Sequence, residues 1–328
     1  MNIAFCVFGI DESVVHRTEF YQQDFAALER LGHTVRFVAH PGGLRRSDDL
    51  LYVWWWNYMW LWGPVAWLRG WPVITTGVFD LAAFDALPRW KQLLKRHGTV
   101  FPTLHVFVSH HEMETVPARV GIQREHATFS PLAVDVSAYR PGDRAAVTGA
   151  FEILNVCWQR KTNIARKMVP ELISAFARFA RDVSNAKLIL AGPPEDGGPI
   201  LRQMAIELGV AERVVFPGEI TRSEKIRLMQ TCSLYVQVSK FEGFGVAIAE
   251  AMACGAPVLA SAVGSVPEVV GDCGTFVDTI SEDGIYSGLH RAYGERGPRN
   301  MRGVDRVRAL FDPQRRSEFL ASAISRVV

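Results

Sequence analysis

Residues 241–258 read Phe241-Glu242-Gly243-Phe244-Gly245-Val246-Ala247-Ile248-Ala249-Glu250-Ala251-Met252-Ala253-Cys254-Gly255-Ala256-Pro257-Val258. The Ala-rich run after Gly245 has helical composition, and Gly255-Ala256-Pro257 stops it before a new apolar strand. Ahead of that helix, Gly243 and Gly245 let the backbone turn tightly and approach a ligand. The helix start then offers unpaired amide donors and the positive end of its dipole, which together favour a phosphate. Glu242 shares the loop, and Glu250 falls in about the second helical turn, able to lean back toward the same ligand. Two acids at that separation carry little information alone. A dinucleotide fingerprint is excluded, because Ile248 occupies the third small position of G-x-G-x-x-G.

Outward from this stretch, strand-like and helix-like runs alternate. Strands are expected at Ile3–Val7, Thr34–Ala39, Leu50–Trp55, Val73–Thr76, Val106–Ser109 and Thr128–Pro131. A second series follows at Glu152–Val156, Lys187–Ala191, Arg213–Phe216, Leu234–Val238 and Pro257–Ala260. Helices are expected at Lys167–Arg181, Pro199–Leu208 and Arg222–Thr231 between them. That rhythm predicts an α/β protein with two Rossmann-like, doubly wound parallel-sheet domains facing a cleft. Ligands of such sheets sit outside the strand C-termini. The polar stretch Tyr139-Arg140-Pro141-Gly142-Asp143 reads as a linker. The expected domains are 1–140 and 141–312, with a C-terminal helix over 313–328 packing back toward the first.

The chain has 328 residues, 48% apolar and 21% charged, as in a globular protein. A net charge of +2 gives no electrostatic reason to expect nucleic acid. The five cysteines are scattered and form no C-x-x-C pair, which fits a reducing cytoplasm rather than a disulfide framework or a zinc site. The first residues open directly on an apolar strand-like run without a basic n-region or cleavage site, so no secretory signal is expected. Leu50 to Leu68 runs nineteen residues without a charge, and seven of the nine tryptophans fall between Trp54 and Trp71. Asn57, Gly63 and Pro64 interrupt it, so a buried strand and a short aromatic helix are expected rather than a membrane span. A peripheral contact of Trp54–Trp71 with the inner face of the membrane is the other reading.

The whole 241–258 string closely resembles the donor-binding segment of retaining glycosyltransferases of family 4, the glycosyl transferases group 1, with two glutamates separated by seven residues in E-G-F-G…E-A-M-A-x-G-x-P-V. Ala186–Gly192, Arg213–Gly218 and Gly264–Val270 resemble further segments of that family, and Val108-Ser109-His110 and Pro131–Asp135 are fainter likenesses. The resemblance implies a GT-B fold and transfer of a hexose from a UDP- or GDP-type sugar to a glycan, glycolipid or natural-product hydroxyl, with retention of configuration. It implies no cofactor and no metal, since the nucleotide-sugar is a co-substrate and the chain has no D-x-D. The implied catalytic set is Glu242 on the sugar hydroxyls with Lys167 and an arginine on the diphosphate. Lys167 matches the family lysine, although Met168 stands where the family has glycine. The family arginine position, five residues before the lysine, is Thr162; Arg160 is assigned instead, with Arg166 as competitor. Gly243, Phe244, Gly245 and Val246 would line the donor phosphates, and Glu250 would take the ribose hydroxyls. The family histidine after the strand Pro72–Thr76 is missing, leaving Asp80 or His110 on the acceptor side. That absence keeps an alternative open, a catalytically silent nucleotide-sugar-binding or partner subunit. A sugar-nucleotide epimerase is a third reading, which the E-G-F-G…E string does not match.

Overall fold

The computed structural model describes residues 1–142, 149–295, 297 and 299–328. The chain divides into two compact units, Met1–Ala133 with Leu310–Val328, and Val134–Ala309. The first unit carries strands β1 (Asn2–Cys6), β2 (Thr34–Val38), β3 (Leu50–Trp54), β4 (Val73–Thr76), β5 (Leu104–Phe107) and β6 (Ala127–Phe129). They pair in the order β2-β1-β3-β4-β5-β6, every pair parallel. All five residues of β3 are buried, as a strand covered on both faces requires.

Trp54 and Trp62 are fully buried, and Trp56 stacks on Phe79 with ring centroids 3.5 Å apart. Three of the seven tryptophans of this segment are therefore core, whereas Trp60 and Trp67 are exposed. It forms β3 and the helix Met59–Arg69, and no helix of the described residues is long and apolar enough to cross a membrane. The sequence reading left 77–105 without an element, yet the structure places the helices Leu81–Asp85 and Arg89–Gly98 there.

The C-terminal helix Pro313–Val327 belongs to the first unit and packs on the helix Glu19–Arg30. Its anchor is Arg316, which is 2% exposed. The guanidinium grips Asp24 through Nε at 2.8 Å and Nη2 at 2.9 Å, and Nη1 donates to the Ser130 carbonyl at 2.7 Å. Tyr52 completes the cluster by donating to Asp24 at 2.7 Å. Burial and the neighbouring carboxylate push the Tyr52 phenol well above its ordinary range, so it stays a donor.

The second unit carries β7 (Phe151–Val156), β8 (Ala186–Ala191), β9 (Val214–Gly218), β10 (Leu234–Gln237), β11 (Val258–Ala260) and β12 (Thr275–Phe276). Their order is β12-β11-β10-β7-β8-β9, again parallel. Chain order reverses between β7 and β10, which makes their C-terminal ends the topological switch point where such sheets bind ligands. The helix Val169–Asp182 buries Leu172, Ile173, Phe176 and Phe179 against this sheet. This unit starts earlier than the linker expected at Tyr139–Asp143. Tyr139 is buried, and Gln230 of the helix Arg222–Thr231 donates to the Arg140 carbonyl at 2.7 Å. Asp143 lies outside the described residues.

Replacing Arg316 by Met removes the countercharge of a buried carboxylate. The expected loss is about 3–5 kcal/mol, read as a lowered midpoint in urea or thermal unfolding. Asp24→Asn combined with Arg316→Met should recover much of it, because the stranded charge is gone.

Candidate active site

Two loops meet beyond the switch point. The one after β7 runs through Cys157 and Arg160 into the helix Lys161–Arg166, then Lys167 and Met168, before the helix Val169–Asp182. Met168 takes φ 47° and ψ 37°, a left-handed conformation that a side chain adopts at a cost of about 1–2 kcal/mol. The kink separates the two helices and sets Arg166 and Lys167 side by side. The other loop, Val238 to Gly245, follows β10 and leads into the helix Val246–Ala253. Gly245, at φ 88°, makes the left-handed turn into that helix, and among the described residues no side chain caps its first turn. Its leading amides have no intrahelical partner by helix geometry.

Glu242 stands where the loops meet, its side chain 13% exposed. Gln237 Nε2 donates to Oε2 at 2.9 Å and Ser239 Oγ at 3.3 Å. Arg166 Nη1 reaches the same oxygen at 3.4 Å and Lys167 Nζ at 3.6 Å. All four contacts fall on Oε2, leaving Oε1 without a partner among the described residues. The two cations are near enough to stabilise the carboxylate but beyond the 2.7–2.9 Å of a tight charge-assisted bond, so neither is locked to it.

The loop itself is held from several directions. Arg166 donates to the Phe241 carbonyl at 2.6 Å, and the Lys240 amide donates to the Arg166 carbonyl at 2.8 Å. Ser261 Oγ accepts from the Ser239 amide at 2.9 Å and donates to the Ser239 carbonyl at 2.8 Å. Ser265 donates to the Gly243 carbonyl. Gly264, at φ 52°, lies so close that an added Cβ would stand 2.3 Å from the Glu242 carbonyl oxygen.

Glu250 is 2% exposed, with Lys225 Nζ at 3.0 and 3.1 Å from its two oxygens. Tyr235 braces Glu242 indirectly: its hydroxyl donates to Gln237 Oε1 at 2.9 Å, and Gln237 in turn holds Glu242. Burial first, then the charges of Glu250 and Glu242, push the Tyr235 phenol well above its ordinary range. Burial likewise raises the Cys157 thiol, against the pull of Lys167 and Arg166. Its thiol is thus disfavoured from ionising.

The glycosyl transferases group 1 family model matches residues 162–296, the stretch that carries Arg166, Lys167 and the loop Val238 to Gly245. Residues 162–296 belong to the glycosyl transferases group 1 family. D-inositol 3-phosphate glycosyltransferases of Mycobacterium sp. (strain KMS) and Mycolicibacterium gilvum are each 33% identical to this chain. The first alignment covers 52% of this chain and 39% of that protein, the second 76% and 60%. The chain therefore spans about two fifths of the length of the first of these relatives. Among solved structures, Anabaena HepE in complex with UDP-glucose aligns over 99% of both chains with a TM-score of 0.81 at 18% identity. Sucrose-phosphate synthase from Thermosynechococcus elongatus covers 99% of this chain and 98% of that one, with a TM-score of 0.80 and 18% identity. Both likenesses give the GT-B fold.

Within this group 1 domain, the structure gathers Glu242, Lys167, Gly243, Gly245 and Val246 at the two loops. Arg160 goes elsewhere: its Nε lies 2.7 Å from Glu195 Oε2, on an exposed pair. The intervening helix Lys161–Arg166 is the reason, since it carries the chain onward so that its last residue reaches the acid. Phe244 is buried, 3% exposed. Asp80 and His110 belong to the first unit, just past the ends of β4 and β5. Asp80 accepts from the Ala83 amide at 2.8 Å as a helix cap, and His110 packs on the Phe129 ring. Sequence reading missed Gln237, Ser239, Ser261 and Ser265. The available signal was polar residues at the C-terminal ends of otherwise apolar strands.

Gly264→Ala forces a Cβ into the Glu242 carbonyl and strains a left-handed backbone. It should cost at least about 2 kcal/mol in thermal unfolding. Gly209→Ala, with positive φ but open space around it, should cost less.

Proposed function

We propose that this chain transfers a hexosyl group from a UDP- or GDP-linked sugar to an acceptor hydroxyl, with retention of anomeric configuration and without a metal ion. The observation that carries this reading is the open Oε1 of Glu242, fixed through Oε2 and flanked by Arg166 and Lys167. A carboxylate so fixed is an acceptor for the hydroxyls of the transferred sugar. Two cations and the start of the helix Val246–Ala253 are donors for a diphosphate, and in place beforehand they stabilise charge building on the leaving oxygen. Glu250, held by Lys225, is the carboxylate this reading assigns to the ribose hydroxyls. The solved HepE complexes with UDP and UDP-glucose support the donor class, and the matched glycosyltransferases support the reaction class.

In the step, the acceptor oxygen bonds to the anomeric carbon on the face the phosphate leaves. The bond from that carbon to the phosphate oxygen breaks, and the acceptor proton passes to the departing diphosphate. Glycoside and free nucleoside diphosphate result. Arg166 and Lys167 act as electrostatic groups here, and no side chain of the site need accept the proton.

The second reading, a silent nucleotide-sugar-binding subunit, rests on the end of β4. There the chain continues Gly77-Val78-Phe79-Asp80 without a histidine, and Asp80 is engaged as a helix cap.

Glu242→Ala and Arg166→Ala should each lower transfer by about 10²-fold or more, measured as nucleoside diphosphate released from labelled donors. Arg160→Ala should stay within about threefold, because Arg160 lies on an exposed pair of small worth. Separately, UDP or GDP should raise the melting temperature, and a chelator should change neither that rise nor the rate. A nucleotide-induced rise with neither transfer nor donor hydrolysis would decide for the silent subunit.

A further inference from the structure

The helix Arg89–Gly98 lies on the first unit with a polar side turned inward. Gln92 Nε2 donates to the carbonyls of Asp85 at 3.2 Å and Leu87 at 2.8 Å. The Lys95 ammonium stands 5.9 Å over the Trp56 ring. Gly98 is closed by the Trp60 backbone, whose nitrogen would be 2.8 Å from an added Cβ. The apolar side chains face water instead: Trp90 is 63% exposed, Leu93 64% and Leu94 37%.

At about 100° per residue these three and His97 form one stripe. Arg89 and Arg96 lie along one flank and Lys91 along the other, all exposed, and the helix contains no acid. Val100, just past its end, is 66% exposed. A soluble helix ordinarily buries such a stripe, and an apolar strip rimmed by cations marks a surface made to be covered.

We propose that the helix Arg89–Gly98 docks the protein on an anionic lipid surface, with Trp90, Leu93 and Leu94 in the boundary between headgroups and acyl chains and Arg89, Lys91 and Arg96 on the headgroups. Charge selects this occupant. A second copy meeting the same face would set like charges against each other, whereas anionic headgroups neutralise them and the apolar boundary takes the stripe. Tryptophan and basic side chains flanking a leucine face suit that depth. This helix is distinct from the Trp54–Trp71 segment, where Trp54, Trp56 and Trp62 are buried while Trp60, Trp67 and Leu68 are exposed. The inference stands independently of sugar transfer.

Flotation of the full chain with phosphatidylcholine vesicles containing phosphatidylglycerol, against phosphatidylcholine alone, tests it. Binding should require the anionic lipid and weaken with salt. Trp90→Glu with Leu93→Glu should abolish it at an unchanged melting temperature, and Lys91→Glu should lower it by about tenfold. The proposal falls if the wild-type chain does not float with the anionic vesicles, or if both variants float as well as wild type. It also falls if the chain forms a concentration-dependent dimer that Trp90→Glu with Leu93→Glu disrupts, with no vesicle binding.

Discussion

The carboxylate of Glu242 is the charge on which the second unit's loops are organised. A carboxylate this little exposed needs donors or countercharges. Gln237 and Ser239 bind it from its own strand end, and Arg166 and Lys167 approach from the neighbouring loop. Each donor also holds something else in place. Gln237 is oriented by Tyr235, Ser239 by the Ser261 pair, and Arg166 by the Phe241 carbonyl. Freed of one partner, the acid would lose direction as well as stabilisation.

Sheet order explains why these groups meet at all. β7 and β10 are neighbours in space but separated in sequence by two strands and their helices. After β7 the chain turns one way along the sheet and after β10 the other, so the loops diverge from a shared crevice. Lys167 and Glu242 come from opposite sides of that divergence. The glycines at 245 and 264 then set how closely the loops approach: one turns the backbone into the helix, and the other leaves room for the Glu242 carbonyl.

Much of this was legible in the sequence, because the alternation of buried strands and amphipathic helices is a strong signal and the glycine-and-acid string is specific. What escaped was geometry that spacing does not encode. Counting five residues back from Lys167 gives Thr162, and Arg160 is assigned in its place because it stands just past the strand; nothing in the string Arg160-Lys161-Thr162-Asn163-Ile164-Ala165-Arg166 announces a separate short helix followed by a left-handed methionine. Met168 read as a departure from glycine, yet the backbone takes the conformation glycine would have provided. The helix Arg89–Gly98 was not anticipated at all, and the packing of Gln92 and Gly98 is what turns its apolar stripe outward.

Electrostatics then links the resting arrangement to the chemistry it can support. Arg166 and Lys167 bring two positive charges to one carboxylate, so the cluster carries a net positive charge without a ligand. A diphosphate entering at the helix start would meet donors already oriented, and their contacts with Glu242, at 3.4 and 3.6 Å, are loose enough to be exchanged for phosphate oxygens. The acid would keep Gln237 and Ser239, and hence its position, while its open oxygen turned to the sugar. Had the cations formed tight bidentate bonds to Glu242, the same residues would make a stable ion pair and a poor site, because each phosphate contact would first require breaking one. Loose pairing around a rigidly held carboxylate is what distinguishes this cluster from the closed pair of Arg316 and Asp24, whose tight contacts and deep burial suit it to holding a helix and nothing more.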